Sequence, residues 1–172
     1  MSTHRASRRT FPRAAIAGAA GAAVPLPLRA QPRTIKVGLI HCVTEPLAEP
    51  GQACRLAQIA TDAINAAGGI KSMGGAKFEL LLGDTQTKAD VARPEAERVI
   101  NSGAQALVGP FNSGDTAAIV PVAQQRRIPF LVDISAADPI TANVATSVRE
   151  GQQKVQYVYR NFPTGRCAYL GR

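Results

Sequence analysis

Five short runs of β-branched and aliphatic residues punctuate this 172-residue chain: TIKVGLI at 34–40, KFELLLG at 77–83, QALVG at 105–109, IPFLVD at 128–133 and VQYVYR at 155–160. Runs of this length and composition, bounded by turn residues, read as strands buried on both sides. The separators carry helical signals. Pro50 and Gly51 open a first helix whose Ala53, Leu56, Ile59, Ala60, Ala63, Ile64 and Ala67 lie on one 3.6-residue stripe, and Gly68-Gly69 stops it. A second helix covers 89–102, with Ala92, Ala96, Val99 and Ile100 inward, Gly103 as its stop and Pro94 near its first turn or kinking it. A third is capped by Ser113 or Asp115 and runs to about Gln125, kinked at Pro121. Strands separated by helices specify an α/β fold: a parallel sheet with right-handed crossovers and helices on both faces. There is no internal repeat.

Composition removes the competing classes. A hydrophobic fraction of 45% is too high for a disordered chain, and three cysteines are too few for a disulfide-framework domain. No run of 18 charge-free, strongly apolar residues provides a conventional membrane span. The net charge of +8 raises nucleic acid as a partner, but its distribution argues against one. Arg5, Arg8, Arg9, Arg13 and Arg29 stand among the first thirty residues with no acid, and Arg33, Arg166 and Arg172 flank the patterned region. Between Thr34 and Phe162, twelve basic residues balance twelve acidic ones.

Residues 1–30 read as an export signal peptide. A basic start, the mild apolar stretch AAIAGAAGAAVPLPL and a small residue at Ala30 place the cut before Gln31. Ser7-Arg8-Arg9-Thr10-Phe11 is twin-arginine-like. At the other end, Asn161–Gly165 reads as a strand-to-helix loop, after which 166–172 form an irregular tail. The expectation is therefore a leader, an incomplete domain over 31–165, and a truncated chain or one whose last residues follow a reading-frame change.

In an open parallel sheet, ligands bind outside the carboxyl ends of the strands, where strand order reverses. Three loops qualify: His41–Glu49, Pro110–Gly114 and Ile134–Asp138. The second is the most informative. Gly109 and Gly114 permit close backbone approach, and Ser113 stands at a helix N-terminus, where unpaired N–H groups and the helix dipole receive an anion. Ser113 is equally suited to being only an N-cap. Enzyme signatures are missing: the turn after the first strand lacks G-x-G-x-x-G, and no phosphate-binding G-x-x-x-x-G-K-[ST] occurs. His41 is the one histidine after the leader, and Ser113 is not in G-x-S-x-G, so Ser113–His41 catalysis finds no motif and His41 reads as a polar loop residue. His41, Cys42 and Cys54 have no recognised metal-ligand spacing, and no cofactor or metal is called for. Cys42 and Cys54 either pair or stay reduced. Glu95 and Glu97 read as solvated helix residues.

Taken together, IKVGLI, DAINAAGGI, KFELLLGDTQTKADVARPEAERVI, ALVGPFNSGDTAAIVPVAQQRRIPFLVDISAADPIT and VQYVYRNFPT resemble, in order and spacing, the branched-chain amino-acid-type solute-binding proteins of ABC importers. That family has the type I periplasmic-binding-protein fold, and the resemblance covers most of its N-terminal lobe. It implies a binding protein rather than an enzyme, located in the periplasm, taking an amino acid or related carboxylate and delivering it to a membrane permease. It places the carboxylate-holding serine on Ser113, lining residues on Phe111 and Asn112, and further contacts on Ser135, Ala136 and Ala137. The first-loop contact, at EPLAEPG over 45–51, does not carry over, and the second lobe has no counterpart here. Two other readings stand beside it: a ligand-sensing receptor domain of the same fold, and a non-functional fragment.

Overall fold

The computed structural model describes residues 33–44 and 53–170, with 53–55 and 168–170 described by backbone alone. The leader at 1–30, the 45–51 segment and any pairing or ligation by the Cys54 side chain lie outside the described residues. The elements alternate as the sequence pattern requires: β1 (Thr34–His41), α1 (Ala53–Ala66), β2 (Lys77–Asp84), α2 (Ala89–Asn101), β3 (Ala106–Val108), α3 (Ser113–Arg126), β4 (Phe130–Val132), α4 (Pro139–Arg149), β5 (Val158–Arg160) and α5 (Gly165–Leu170). All five strands are parallel, in the order β2-β1-β3-β4-β5. The chain steps one way from β1 to β2 and the other way thereafter. With right-handed crossovers, α1 belongs on one face of the sheet and α2, α3 and α4 on the other.

Register makes the two faces different. Leu81, Gly38, Leu107, Phe130 and Val158 are paired neighbours across all five strands and form one row. Leu107, Phe130 and Val158 are completely buried there, against Ala92, Ala96, Val99, Ile119, Val122, Ile140 and Val144 of the three helices. Gly38 is glycine because a Cβ at that point would lie 2.4 Å from a Val99 methyl and 2.7 Å from a Leu107 methyl. The row of the opposite face is Leu82, Leu39, Val108, Leu131 and Tyr159. Leu82 is 51% exposed, Leu131 37% and Tyr159 49%. Leu39, within the row, is buried, so this apolar face is open chiefly at Leu82, Leu131 and Tyr159 among the described residues.

Helix α1 departs from its sequence pattern. Leu56, Ile59 and Ile64 of the expected inward stripe are 70%, 65% and 41% exposed. The side turned inward carries Thr61, which is buried, and Asn65. Asn65 Nδ2 donates to the Phe78 carbonyl at 2.8 Å and its Oδ1 accepts from the Phe78 amide at 2.9 Å. A side-chain amide thus takes the place of a neighbouring strand along the outer edge of β2, a bidentate pairing that outweighs the stripe in orienting the helix.

Three other expectations change. The cap of α3 is neither Ser113 nor Asp115 but Asn112: its backbone is extended and its Oδ1 accepts from Gly114 N at 2.7 Å, leaving Ser113 as the first helical residue. Helix α4 occupies a stretch in which the sequence pattern singled out no element; its buried residues are only Ile140 and Val144. Residues 165–170 are helical rather than irregular, because Thr164 Oγ1 accepts from Cys167 N at 3.4 Å and Gly165 N donates to Ala136 O at 2.7 Å.

The asymmetry of the sheet predicts asymmetric mutational costs. Leu107→Ala on the covered face should lower stability by roughly 2–5 kcal/mol. Leu82→Ala on the open face should change it by no more than about 0.5–1 kcal/mol. Urea midpoints at constant slope test this, and equal losses would mean that both faces are covered in solution.

Candidate functional site

Strand order reverses between β1 and β3, so the crevice lies where the carboxyl ends of β1, β3 and β4 meet. All six residues singled out by sequence sit here on two adjacent loops: Phe111, Asn112 and Ser113 after β3, and Ser135, Ala136 and Ala137 after β4. Ser113 and Ala137 line the same cavity of about 310 Å³, together with Ala117, Val120, Ile140 and Val144. A larger, shallower groove of about 570 Å³ lies behind the second loop, against β5, and contains none of the six.

The loops are bolted together by a buried hydroxyl pair. Ser135 Oγ donates to Pro110 O at 2.7 Å, lies 3.1 Å from Phe111 O and contacts Thr116 Oγ1. Thr116 Oγ1 is in turn 2.8 Å from Asn112 O. The Ser135 hydroxyl is therefore occupied within the protein and completely buried. Ser113, by contrast, is half-buried and its hydroxyl makes no hydrogen bond among the described residues. Asn112 caps the Gly114 amide, which leaves the amides of Ser113 and Asp115 without an acceptor among the described residues. The amides of Ala136 and Ala137 are likewise unpaired among the described residues, while their carbonyls are taken: Ala136 O by Gly165 N, and Ala137 O by Arg160 at 2.7 Å and by Ile140 N at 3.4 Å. Among the groups left unpaired here are the Ser113 hydroxyl and the amides of Ser113, Asp115, Ala136 and Ala137, donors of the kind suited to an anion.

Gly109 permits this approach of loop to strand. Its φ is +108°, and a Cβ there would lie 2.0 Å from the Ile40 carbonyl oxygen and 3.1 Å from the His41 ring. His41 is not a loop residue. It ends β1, is completely buried, and its Nε2 lies 3.0 Å from Asp133 Oδ2 without a well-directed hydrogen bond from either ring nitrogen. It makes no hydrogen bond to Ser113, so these two are not joined as a nucleophile–base pair. Nor do they contain a group of three or more His, Cys, Asp or Glu side chains able to hold a metal. Glu95 and Glu97 form helix-surface ion pairs with Arg98 and Arg93.

Sequence reasoning missed the acids beside the crevice. Burial pushes the Asp115 carboxyl up from its usual range, against the lowering effect of the Thr85 hydroxyl, which donates to it at 2.6 Å. Burial also pushes Asp84 up, but the Thr44 hydroxyl and the amides of Gln86, Val43 and Thr44 outweigh this and hold it below the usual carboxylate range. Asp84 thereby fixes the exit of β1. Desolvation raises the Cys42 thiol, an unreactive setting. The one signal that could have found these groups is position, since each stands within a few residues of a strand's carboxyl end.

The sequence signature described as periplasmic binding protein matches residues 34–165. The chain belongs to that family. Among its relatives, the Leu/Ile/Val-binding protein BraC3 of Rhizobium johnstonii is 32% identical over 145 residues, 79% of this chain and 39% of that protein. The structure of LivJ, a branched-chain amino acid transporter substrate-binding protein of Streptococcus pneumoniae in complex with isoleucine, superposes with a TM-score of 0.64 at 30% identity, over 77% of this chain and 34% of that one. A solute-binding protein of an ABC transporter from Rhodopseudomonas palustris BisB5, in complex with 3,4-dihydroxybenzoic acid, superposes with a TM-score of 0.55 at 26% identity, over 76% and 32%. The chain thus spans about a third to two fifths of the length of these relatives. The proteins it is similar to are solute-binding proteins, which are not enzymes. No helix among the described residues is long and apolar enough to cross a membrane.

Two consequences are measurable. Gly109→Ala should reduce stability by roughly 2–3 kcal/mol or more, since neither the dihedral nor the Ile40 carbonyl can give way, and a thermal melt reads this directly. For Asp115, the raised folded-state pKa means that its contribution to stability is fully present below the unfolded pKa and is lost as pH rises through the folded value. Asp115→Asn keeps an acceptor for Thr85 without the charge. Its stability relative to the wild type should therefore rise from about pH 4 toward neutrality in denaturant titrations, and a flat difference would show that the buried carboxyl is not perturbed.

Proposed function

We infer that this chain supplies one lobe of a solute-binding protein that captures a small carboxylate, an amino acid or a related acid, outside the cytoplasm for delivery to the membrane permease of an ABC importer. The observation that carries the reading is the set of unpaired donors at the strand-order reversal: the Ser113 hydroxyl and the amides of Ser113, Asp115, Ala136 and Ala137. A carboxylate placed among them gains from the positive end of α3 and from charge-assisted hydrogen bonds of roughly 1.5–3 kcal/mol each. Isoleucine and 3,4-dihydroxybenzoic acid, the ligands of two structural relatives, differ in size and in the presence of an ammonium group but share a carboxylate. Phe111 and Asn112 flank the donor set, and the apolar side chains Ala117, Val120 and Ile140 continue from it. Export fits the twin-arginine-like segment at 1–30 and a periplasmic setting.

Calorimetric or NMR titration with isoleucine and with 3,4-dihydroxybenzoate tests this. At least one should bind, and Ser113→Ala should weaken it roughly 10- to 100-fold, the equivalent of one charge-assisted hydrogen bond. Failure of both carboxylates to bind, or unchanged affinity in Ser113→Ala, would overturn the assignment.

A further inference from the structure

We propose that Arg160, at the end of β5 and outside the ligand cavity, is the positioning residue that turns the 135–137 loop into a donor surface. Its guanidinium reaches under the loop. Nη1 donates to Ser135 O, Nη2 donates to Ala137 O at 2.7 Å, and Nε lies 3.3 Å from Thr141 Oγ1 at the start of α4. The carbonyl between these two, Ala136 O, accepts from Gly165 N at 2.7 Å. Three consecutive carbonyls are thus held on the β5 side. On the β3 side, the same loop is held by the Ser135 hydroxyl on Pro110 O.

The chemical consequence follows from what is left. A free loop offers a ligand both carbonyl acceptors and amide donors, and a carbonyl oxygen beside a carboxylate is repulsive. With the carbonyls of 135, 136 and 137 occupied, the loop presents unpaired amides, those of Ala136 and Ala137 among them. A planar guanidinium is the one side chain able to bind two carbonyls two residues apart while also reaching a hydroxyl; an ammonium lacks the fork. Arg160 is partly desolvated, so its hydrogen bonds are poorly replaced by water, and Asp138 partly offsets the cost of burying its charge. The selection for an anion over a cation on this loop is therefore set from β5 by a residue that need not touch the ligand. This rests on the carboxylate reading of the site, but its first consequence, the state of the loop without ligand, does not.

The test uses the full chain with Arg160→Ala and Arg160→Lys. In ligand-free protein, amide hydrogen exchange at Gly165 and Ile140, whose acceptors are Ala136 O and Ala137 O, should quicken in Arg160→Ala while β1–β3 keep their protection. Millimolar guanidinium chloride should restore slow exchange, whereas equal sodium chloride should not. With whichever of isoleucine and 3,4-dihydroxybenzoate the wild type binds, Arg160→Ala should lose roughly 10- to 100-fold in affinity, guanidinium should recover part of it, and Arg160→Lys should fall between. Unchanged exchange at Gly165 and Ile140, or a loss of protection throughout the sheet that guanidinium does not reverse, would overturn the proposal. If the wild type binds neither probe, the carboxylate reading fails, and the exchange experiment alone still decides whether Arg160 shapes the loop.

Discussion

The constraint on which the rest depends is the burial of one face of the parallel sheet. Leu107, Phe130 and Val158 are driven out of water by α2, α3 and α4, and Gly38 leaves room for Val99 to reach the sheet between its neighbours. A fully buried large apolar side chain contributes roughly 1.5–3 kcal/mol, and this row supplies several. Because the strands are parallel and each is followed by its helix, fixing that face also fixes which loops meet at one end. The crevice is a by-product of the sheet's topology: reversal of strand order at β1 and β3 separates the outgoing chain on either side and leaves a gap between the loops.

What fills the rim of that gap is decided by competition for hydrogen bonds. Buried polar groups must be paired, and the two loops pair almost everything except donors. Ser135 and Thr116 satisfy the carbonyls of 110–112, Asn112 satisfies Gly114, and Arg160 and Gly165 satisfy the carbonyls of 135–137. The remaining amides and the Ser113 hydroxyl have no internal partner among the described residues. This donor set is what an otherwise satisfied network leaves over, and it contains no basic side chain. That accords with the balanced charge of the patterned region.

Much of this was legible in the sequence, for identifiable reasons. Buried parallel strands are nearly continuous apolar runs, so all five were visible, although β3, β4 and β5 are shorter than their runs because pairing stops where the loops diverge. The two loops carrying Phe111–Ser113 and Ser135–Ala137 were visible because glycine and small polar residues follow strands there. Helix α4 was not, since two buried apolar residues among threonine, serine and asparagine make no stripe. The orientation of α1 was not either. Periodicity reveals that a helix has an apolar side but not that Asn65 will pair with an edge strand and turn that side outward.

The sequence by itself determined the class of fold, the order of its five strands and the end of the sheet at which the crevice forms, because these follow from local periodicity and from the chirality of crossovers. Only the tertiary structure decided which groups at that end are available. It put His41 beside Asp133, joined Thr85 to Asp115, closed the Ser135 hydroxyl and set Arg160 behind the loop. Each of these pairs joins residues far apart in the chain. Their partners are chosen by register and by the need to satisfy buried polar groups, and neither is encoded in any local stretch of sequence.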